Sequence, residues 1–298
     1  PDLGAVYDIT NQVSAFVSYT KNISVPSTDN LYNAFYFPAG TAQAEPKPET
    51  TDSFDAGLRY RSSKIQAQLS GWFTKFNDRL ASAYDPELDR TIYRNLGRVD
   101  KWGIDGSIAY EPIRELTLYA FGSWNRSKIK DDLQSGTCTA AYITAGIFGC
   151  TTVGDPIFLD TSGKYESGAP KYMYGGSAVG RFSIFEIGAT VKRTGPRYVY
   201  DTNVPTFSGP IANPTEIFPA KAPAYTLVNL DARMKLTMLK GLEKSYFQLN
   251  VYNLFDEFYV GGFGGGASQS LSGVNYGNPS FVQIGAPRTI SGTLSLAF

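Results

Sequence analysis

The chain has 298 residues, with 27 basic and 27 acidic side chains, no histidine, two cysteines and 14% aromatic residues. A net charge of zero with no basic concentration argues against nucleic acid as a partner. The missing histidine removes the commonest general base and metal ligand, so a Ser-His-Asp triad is excluded and no metal or other cofactor is expected.

Apolar and polar residues alternate along the chain. Val13, Ala15, Val17 and Tyr19 alternate with Ser14, Phe16, Ser18 and Thr20. Further on, Phe185, Ile187, Ala189 and Val191 alternate with Glu186, Gly188, Thr190 and Lys192. Val228–Leu236, Phe247–Tyr252 and Thr289–Phe298 repeat the scheme. Period two predicts strands with one apolar and one polar face. The polar face carries Ser, Thr, Asn and Gln with charges of both signs, which suits a wet or plugged lumen; Asp105, Glu186, Lys192, Asp231, Arg233 and Lys235 are expected to point there. Tyr60, Trp72, Tyr110, Trp124 and Tyr225, near strand ends, are expected to form an interfacial aromatic girdle. Gly261–Gly266 lacks the following Lys-Ser/Thr of a phosphate-binding loop.

The connections alternate in length. Short turns are expected near Thr10–Gln12, Ser62–Lys64, Glu111–Glu115, Ser183 and Leu239–Lys244. Long, Gly/Pro/Asn/Thr-rich connections fall at Ser24–Thr51, Lys130–Lys171, Val199–Pro223 and Asp256–Pro287, with a shorter one at Tyr84–Thr91. Alternating short turns and long loops predict an all-β, transmembrane, antiparallel up-and-down β-barrel. About 11 strands are expected, which cannot close as an ordinary even-numbered barrel but fit the C-terminal half of a 22-strand one. Residues 1–298 are then one barrel portion. Cys138 and Cys150 share one polar segment; a local disulfide is preferred, with free thiols the alternative and zinc disfavoured.

Candidate ligand-binding residues lie in the long loops: Arg79, Tyr84, Arg90 and Arg94 around one, Arg197, Tyr198 and Tyr200 in another. Arginine grips carboxylate or phosphate with two parallel bonds and tyrosine adds a flat contact surface, which together suit an anionic chelate. Taken singly, each also reads as surface charge or girdle aromatic. No pattern marks an enzyme.

The segment NVYNLFDEFY at Asn250–Tyr259, with Asn253, Leu254, Phe255, Asp256 and Tyr259, resembles the penultimate-strand motif of TonB-dependent outer-membrane receptors. Pro287-Arg288-Thr289 leading to Phe298 is similar to that family's last strand, with its terminal aromatic assembly signal. Pro48–Tyr60, Asn95–Pro112 and Gly168–Tyr172 match in order. The resemblance implies a 22-strand barrel in the outer membrane of a Gram-negative bacterium, in contact with outer-membrane lipid. It also implies a plug domain and a TonB box, neither within residues 1–298, coupling to a TonB–ExbB–ExbD energy complex. Barrel-assembly machinery would engage the C-terminal strand. The small nutrient ligand it implies is a ferric siderophore or ferric citrate-like chelate, taken up by energised transport. The alternatives are a passive porin, or an importer of a carbohydrate, vitamin or aromatic compound.

Overall fold

The computed structural model describes residues 1–25, 48–85, 90–95, 97–238, 242–264, 266–279 and 281–297, with backbone alone for 80–85 and 90–95. Eleven strands form one sheet: β1 (Asp2–Asp8), β2 (Val13–Ser24), β3 (Glu49–Arg61), β4 (Ile65–Asn77), β5 (Val99–Ile113), β6 (Leu116–Ile129), β7 (Tyr172–Phe182), β8 (Phe185–Thr194), β9 (Tyr225–Lys235), β10 (Tyr246–Tyr252) and β11 (Thr289–Ser295). Each pairs antiparallel with its chain neighbour, so spatial order equals sequence order and β1 and β11 are the two edges. Links of a few residues join one end of β1–β2, β3–β4, β5–β6 and β7–β8, and 236–245 joins β9 to β10. The opposite end carries the long loops, which build their own hairpins, among them Leu133–Thr137 with Pro156–Leu159 and Val260–Phe263 with Val282–Ile284. Among the described residues no helix is long and apolar enough to span a membrane; the short α1 (Ala140–Ala145) starts where the Thr139 hydroxyl accepts a hydrogen bond from the Tyr142 N–H and ends at Gly146 in the left-handed region.

Directly opposed residues share a face, so the register sorts the side chains. One face carries Val17, Ala56, Gly71, Ile104 and Trp124 in a row. The other carries Ser18, Asp55, Trp72, Gly103 and Asn125. On the first face Leu3, Val17, Leu69, Ile187 and Ile290 are more than half exposed to solvent. An apolar surface of that extent is untenable in water and is the normal wall of a lipid-facing barrel. The buried hydrophobic residues lie instead at the long-loop end: Val99 and Ile129 with Phe76 and Leu133, and Cys138, Cys150 and Ile157 with Tyr142 and Ile143.

Two girdle expectations are corrected by the register. Trp72 and Tyr225 point to the polar face. The Trp72 Nε1–H donates to Asp105 Oδ2 at 2.7 Å, its ring lying across Gly103, where a Cβ would come within 2.7 Å of it. Tyr225 stacks on Tyr259 at 4.4 Å. Nearness to a strand end says nothing about parity, and the face follows from parity alone. The outward aromatics at the long-loop end include Tyr19, Phe54, Phe73, Trp102, Trp124, Tyr172 and Tyr174; Tyr7, Tyr60, Tyr110, Phe182, Phe185 and Phe247 line the short-turn end. The polar-face charges are matched locally: Arg181 Nε meets Glu186 Oε2 at 3.1 Å, and Arg233 donates twice to Gln248 Oε1.

Candidate site in the outer loop layer

The loops converge on a charged cluster at the inner mouth of the sheet. Arg79 follows β4, and its backbone N–H bonds Gly97 O at 2.8 Å. Its guanidinium pairs with Glu49 (2.9 Å) and Glu166 (3.3 Å) and lies 4.8 Å from the Phe76 ring centroid. Glu166 also meets Lys101 Nζ at 2.5 Å and accepts from the Ser127 hydroxyl at 2.8 Å. Burial alone would raise the Glu166 pKa, but Lys101, Arg79 and Ser127 outweigh it and hold the carboxyl below its ordinary value. Pairing of this kind fixes geometry more than it adds net stability. It welds the 130–171 loop to β3, β4, β5 and β6.

A second junction joins three loops. Asp201 Oδ1 accepts the Ser167 N–H at 2.7 Å, while the Asp201 and Thr202 N–H groups donate to Gly266 O and Ala267 O. Asn203, in the left-handed region at φ 58°, donates Nδ2 to Tyr165 O and accepts the Tyr165 N–H. Asp201 is 2% exposed. Burial, with Glu166 nearby and only partly offset by the Ser167 bond, raises its pKa to about 6. Between the ordinary value of 3.8 and about 6 the folded chain keeps a proton that the unfolded chain releases. The stability this group contributes is therefore complete below the lower value and lost as pH rises through the upper one, by roughly 3 kcal/mol. Asp201→Asn retains the acceptor for Ser167 without the charge. It is expected to slow exchange of the Ser167 amide hydrogen above pH 6 relative to the parent, with the difference vanishing below pH 4. Exchange rates that stay equal across that range would exclude a charged, destabilised Asp201.

Of the sequence-selected residues, Arg79 is in the charged cluster. Arg197 is buried, donating to Gly261 O (3.2 Å) and Val260 O (2.5 Å) between the Tyr225 and Phe263 rings, with Nε lacking a partner among the described residues. Tyr200 is fully buried. The side chains of Tyr84, Arg90 and Arg94 lie outside the described residues, although their backbones pair in one hairpin. Phe298 also lies outside them. Cys138 and Cys150 form a disulfide with Cα atoms 5.6 Å apart.

The motif Asn253–Tyr259 is a knot where the chain leaves β10. Asn253 is 4% exposed at φ 51°, a conformation asparagine tolerates better than most residues. Its Nδ2 donates to Glu257 O (2.9 Å) and Ala286 O (3.1 Å), and its Oδ1 accepts the Glu257 N–H (2.9 Å). Asp256 accepts the Arg288 N–H at 2.7 Å, and the Leu254 N–H bonds Val228 O. Phe255 and Phe258 stay exposed.

Sequence reasoning missed Glu49, Lys101, Glu166, Asp201, Asn203 and Tyr165, and it named Tyr198 without the ring that Tyr198 stacks on. The two rings stack at 5.9 Å and 15°, with Lys128 over Tyr165 at 3.9 Å and Lys221 over Tyr198 at 4.6 Å. Beside them opens a cavity of about 110 Å³, lined by Asn125, Ser127, Glu166 and Lys171 among others. Among the described residues no group of three His, Cys, Asp or Glu could hold a metal ion. The cavity can offer cations, flat rings and hydroxyls to a small molecule.

Comparison decides the family. The model "TonB dependent receptor-like, beta-barrel" matches residues 1–254. The chain belongs to the TonB-dependent receptor β-barrel family. That family consists of transport receptors, and it implies small-ligand binding and the Gram-negative outer membrane. Among solved structures, this receptor chain is similar to the ferric yersiniabactin uptake receptor FyuA from Yersinia pestis (16% identity, TM-score 0.62, covering 98% of this chain and 36% of that one). It also resembles the copper transporter OprC (15%, 0.59, 87% and 33%) and the ferric citrate transporter FecA in its unliganded form (13%, 0.64, 99% and 37%). The chain thus spans about a third of the length of these receptors. A search of curated protein sequences finds no match.

Proposed function

We propose that residues 1–298 are the C-terminal half of the 22-strand wall and the ligand-capturing loops of an energised outer-membrane importer, with an anionic ferric chelate as cargo. The observation that carries the cargo reading is the stacked pair Tyr165 and Tyr198 with Lys171 and Lys221 and the paired Glu166 around a cavity of about 110 Å³, room for one flat anionic arm of a chelate and not for the whole complex. FyuA and FecA, whose names specify ferric chelates, share the fold and support the choice. Arg79 and Arg197 serve as scaffold of the loop layer, Arg79 through Glu166, which lines the cavity; Tyr84, Arg90 and Arg94 are proposed as further ligand-binding residues. A plug and a TonB box elsewhere in the receptor would couple it to TonB–ExbB–ExbD, and the last strand, β11, would engage barrel assembly.

The test is uptake of radiolabelled ferric citrate and of a ferric siderophore by iron-starved cells carrying the full-length receptor. Uptake is expected to stop when the proton gradient is collapsed. Tyr198→Ala with Lys221→Ala is expected to lower it at least tenfold at limiting chelate. Uptake that persists without the gradient would identify a passive channel. Energised uptake of a sugar or vitamin in place of iron would overturn the cargo.

A further inference from the structure

Three loops lie side by side next to the cavity. Tyr165, Glu166 and Ala169 bring its wall from the 130–171 loop, and Tyr198 stands at the start of the turn 199–203. Toward the sheet the first segment is fixed twice: the Ile129 N–H donates to Lys164 O at 3.0 Å, and the Glu166 carboxylate is gripped by Arg79 and Lys101. Its opposite side lies along the turn. The Tyr165 N–H donates to Asn203 Oδ1 at 2.8 Å, the Ser167 N–H to Asp201 Oδ1 at 2.7 Å and the Gly168 N–H to Tyr198 O at 2.9 Å. Beyond the turn, the Asp201 N–H reaches Gly266 O at 3.0 Å and the Thr202 N–H reaches Ala267 O at 3.1 Å. Asp201 thus bonds to both neighbours, through its carboxyl on one side and its backbone on the other.

A carboxyl buried this deeply needs a counter-charge or water before it can ionise. The charged groups that act on Asp201 are Glu166 from the adjoining segment and Lys101 from β5. Lys101 is already engaged by Glu166, which repels a second negative charge. Gly266 and Ala267, on the far side, bring no charge. Water is left to solvate the ion, and it gains Asp201 by parting the turn from 165–168. Glu166 is held below its ordinary value, so it stays ionised while Asp201 titrates near 6. The folded value of Asp201 lies above the unfolded one, so the junction is intact at acid pH and weakens as pH rises through the folded value.

We propose that Asp201 is a proton-operated latch on the cavity: protonated, it clasps 165–168 between the sheet and the turn, and ionised, it releases that segment so that the cavity loses its grip on cargo. Release leaves Glu166 anchored to Lys101 and Arg79 but frees the far side of Tyr165, Ser167 and Gly168, so the Tyr165 ring no longer stands fixed against Tyr198. The turn also carries the 256–287 loop through Gly266 and Ala267, so the same proton ties that loop to the cavity. The consequence for cargo rests on the cavity being the capture site; the release of the segment does not.

The experiment is hydrogen exchange of the full-length receptor in detergent between pH 5 and pH 8, corrected for the intrinsic effect of pH on exchange, for the parent, Asp201→Asn and Asp201→Ala. In the parent the amides of Tyr165, Ser167, Gly168, Asp201 and Thr202 are expected to lose protection together above pH 6, by roughly tenfold per pH unit. Asp201→Asn is expected to keep them protected throughout, and Asp201→Ala, which lacks the acceptor, to expose them at every pH. Ferric citrate binding is measured alongside, as the ratio of parent to Asp201→Asn affinity, which cancels the chelate's own protonation. That ratio is expected to fall roughly tenfold between pH 5 and pH 7.5. Exchange that does not depend on pH overturns the latch. So does release of Ser167 alone with Gly168, Asp201 and Thr202 still protected, and so does a constant affinity ratio when both proteins bind. Ferric citrate that binds neither protein at any pH refutes the cargo reading instead, and the exchange pattern then decides the latch by itself.

Discussion

Asn253→Ala is expected to destabilise the receptor by about 3 kcal/mol, the largest effect of any single polar substitution in the loop layer. The side chain makes three hydrogen bonds inside a buried turn. A net bond contributes about 1 kcal/mol, and a buried partner left unmatched costs about 1–3 kcal/mol more. Alanine at φ 51° adds about 1 kcal/mol of steric cost. Water reaching the partly open turn recovers some of this. Asn253→Gly, which accepts the backbone angle and loses only the bonds, is expected to fall between the parent and alanine. Denaturant unfolding of the full-length receptor in detergent micelles checks the series. An alanine variant within about 0.5 kcal/mol of the parent would show that the turn is not held by this side chain.

The 298-residue chain expressed alone is expected not to form a folded monomer in detergent or lipid. Its sheet ends at β1 and β11, both seven residues long and each paired on one side only. About half the residues of an edge strand direct their N–H and C=O groups away from the sheet, roughly six to eight groups per edge. In hydrocarbon each unmatched group costs several kcal/mol. The total reaches tens of kcal/mol, against a usual folding stability of about 5–15 kcal/mol. The expected products are aggregates or copies joined edge to edge. Size-exclusion chromatography with light scattering checks this, and a monodisperse monomer with native β-signal in circular dichroism would contradict it.

The wall was legible in the chain because lipid imposes one rule on every strand: apolar residues must recur at every second position. Val17, Ile187, Leu230 and Ile290 obey it, and the strand number and loop alternation follow from the same pattern. The NLFDEFY turn was legible as a resemblance, but not its mechanism, since the Ala286 carbonyl that Asn253 grips lies 33 residues away.

The loop layer was not legible, and Arg197 shows why. In sequence Arg197 looks like an anion clamp beside two tyrosines; in space it is spent on the carbonyls of Val260 and Gly261, more than 60 residues away. Glu166, Lys101 and Arg79 sit in three unrelated segments with no shared period, so only folding brings their charges together. Trp72 was misassigned because a ring near a strand end can face either way, and Asp105 on the neighbouring strand settled which. The sequence by itself determined the wall, because one solvent acts on all its residues alike. The tertiary structure decided the mouth, where each contact is between segments that no local rule relates.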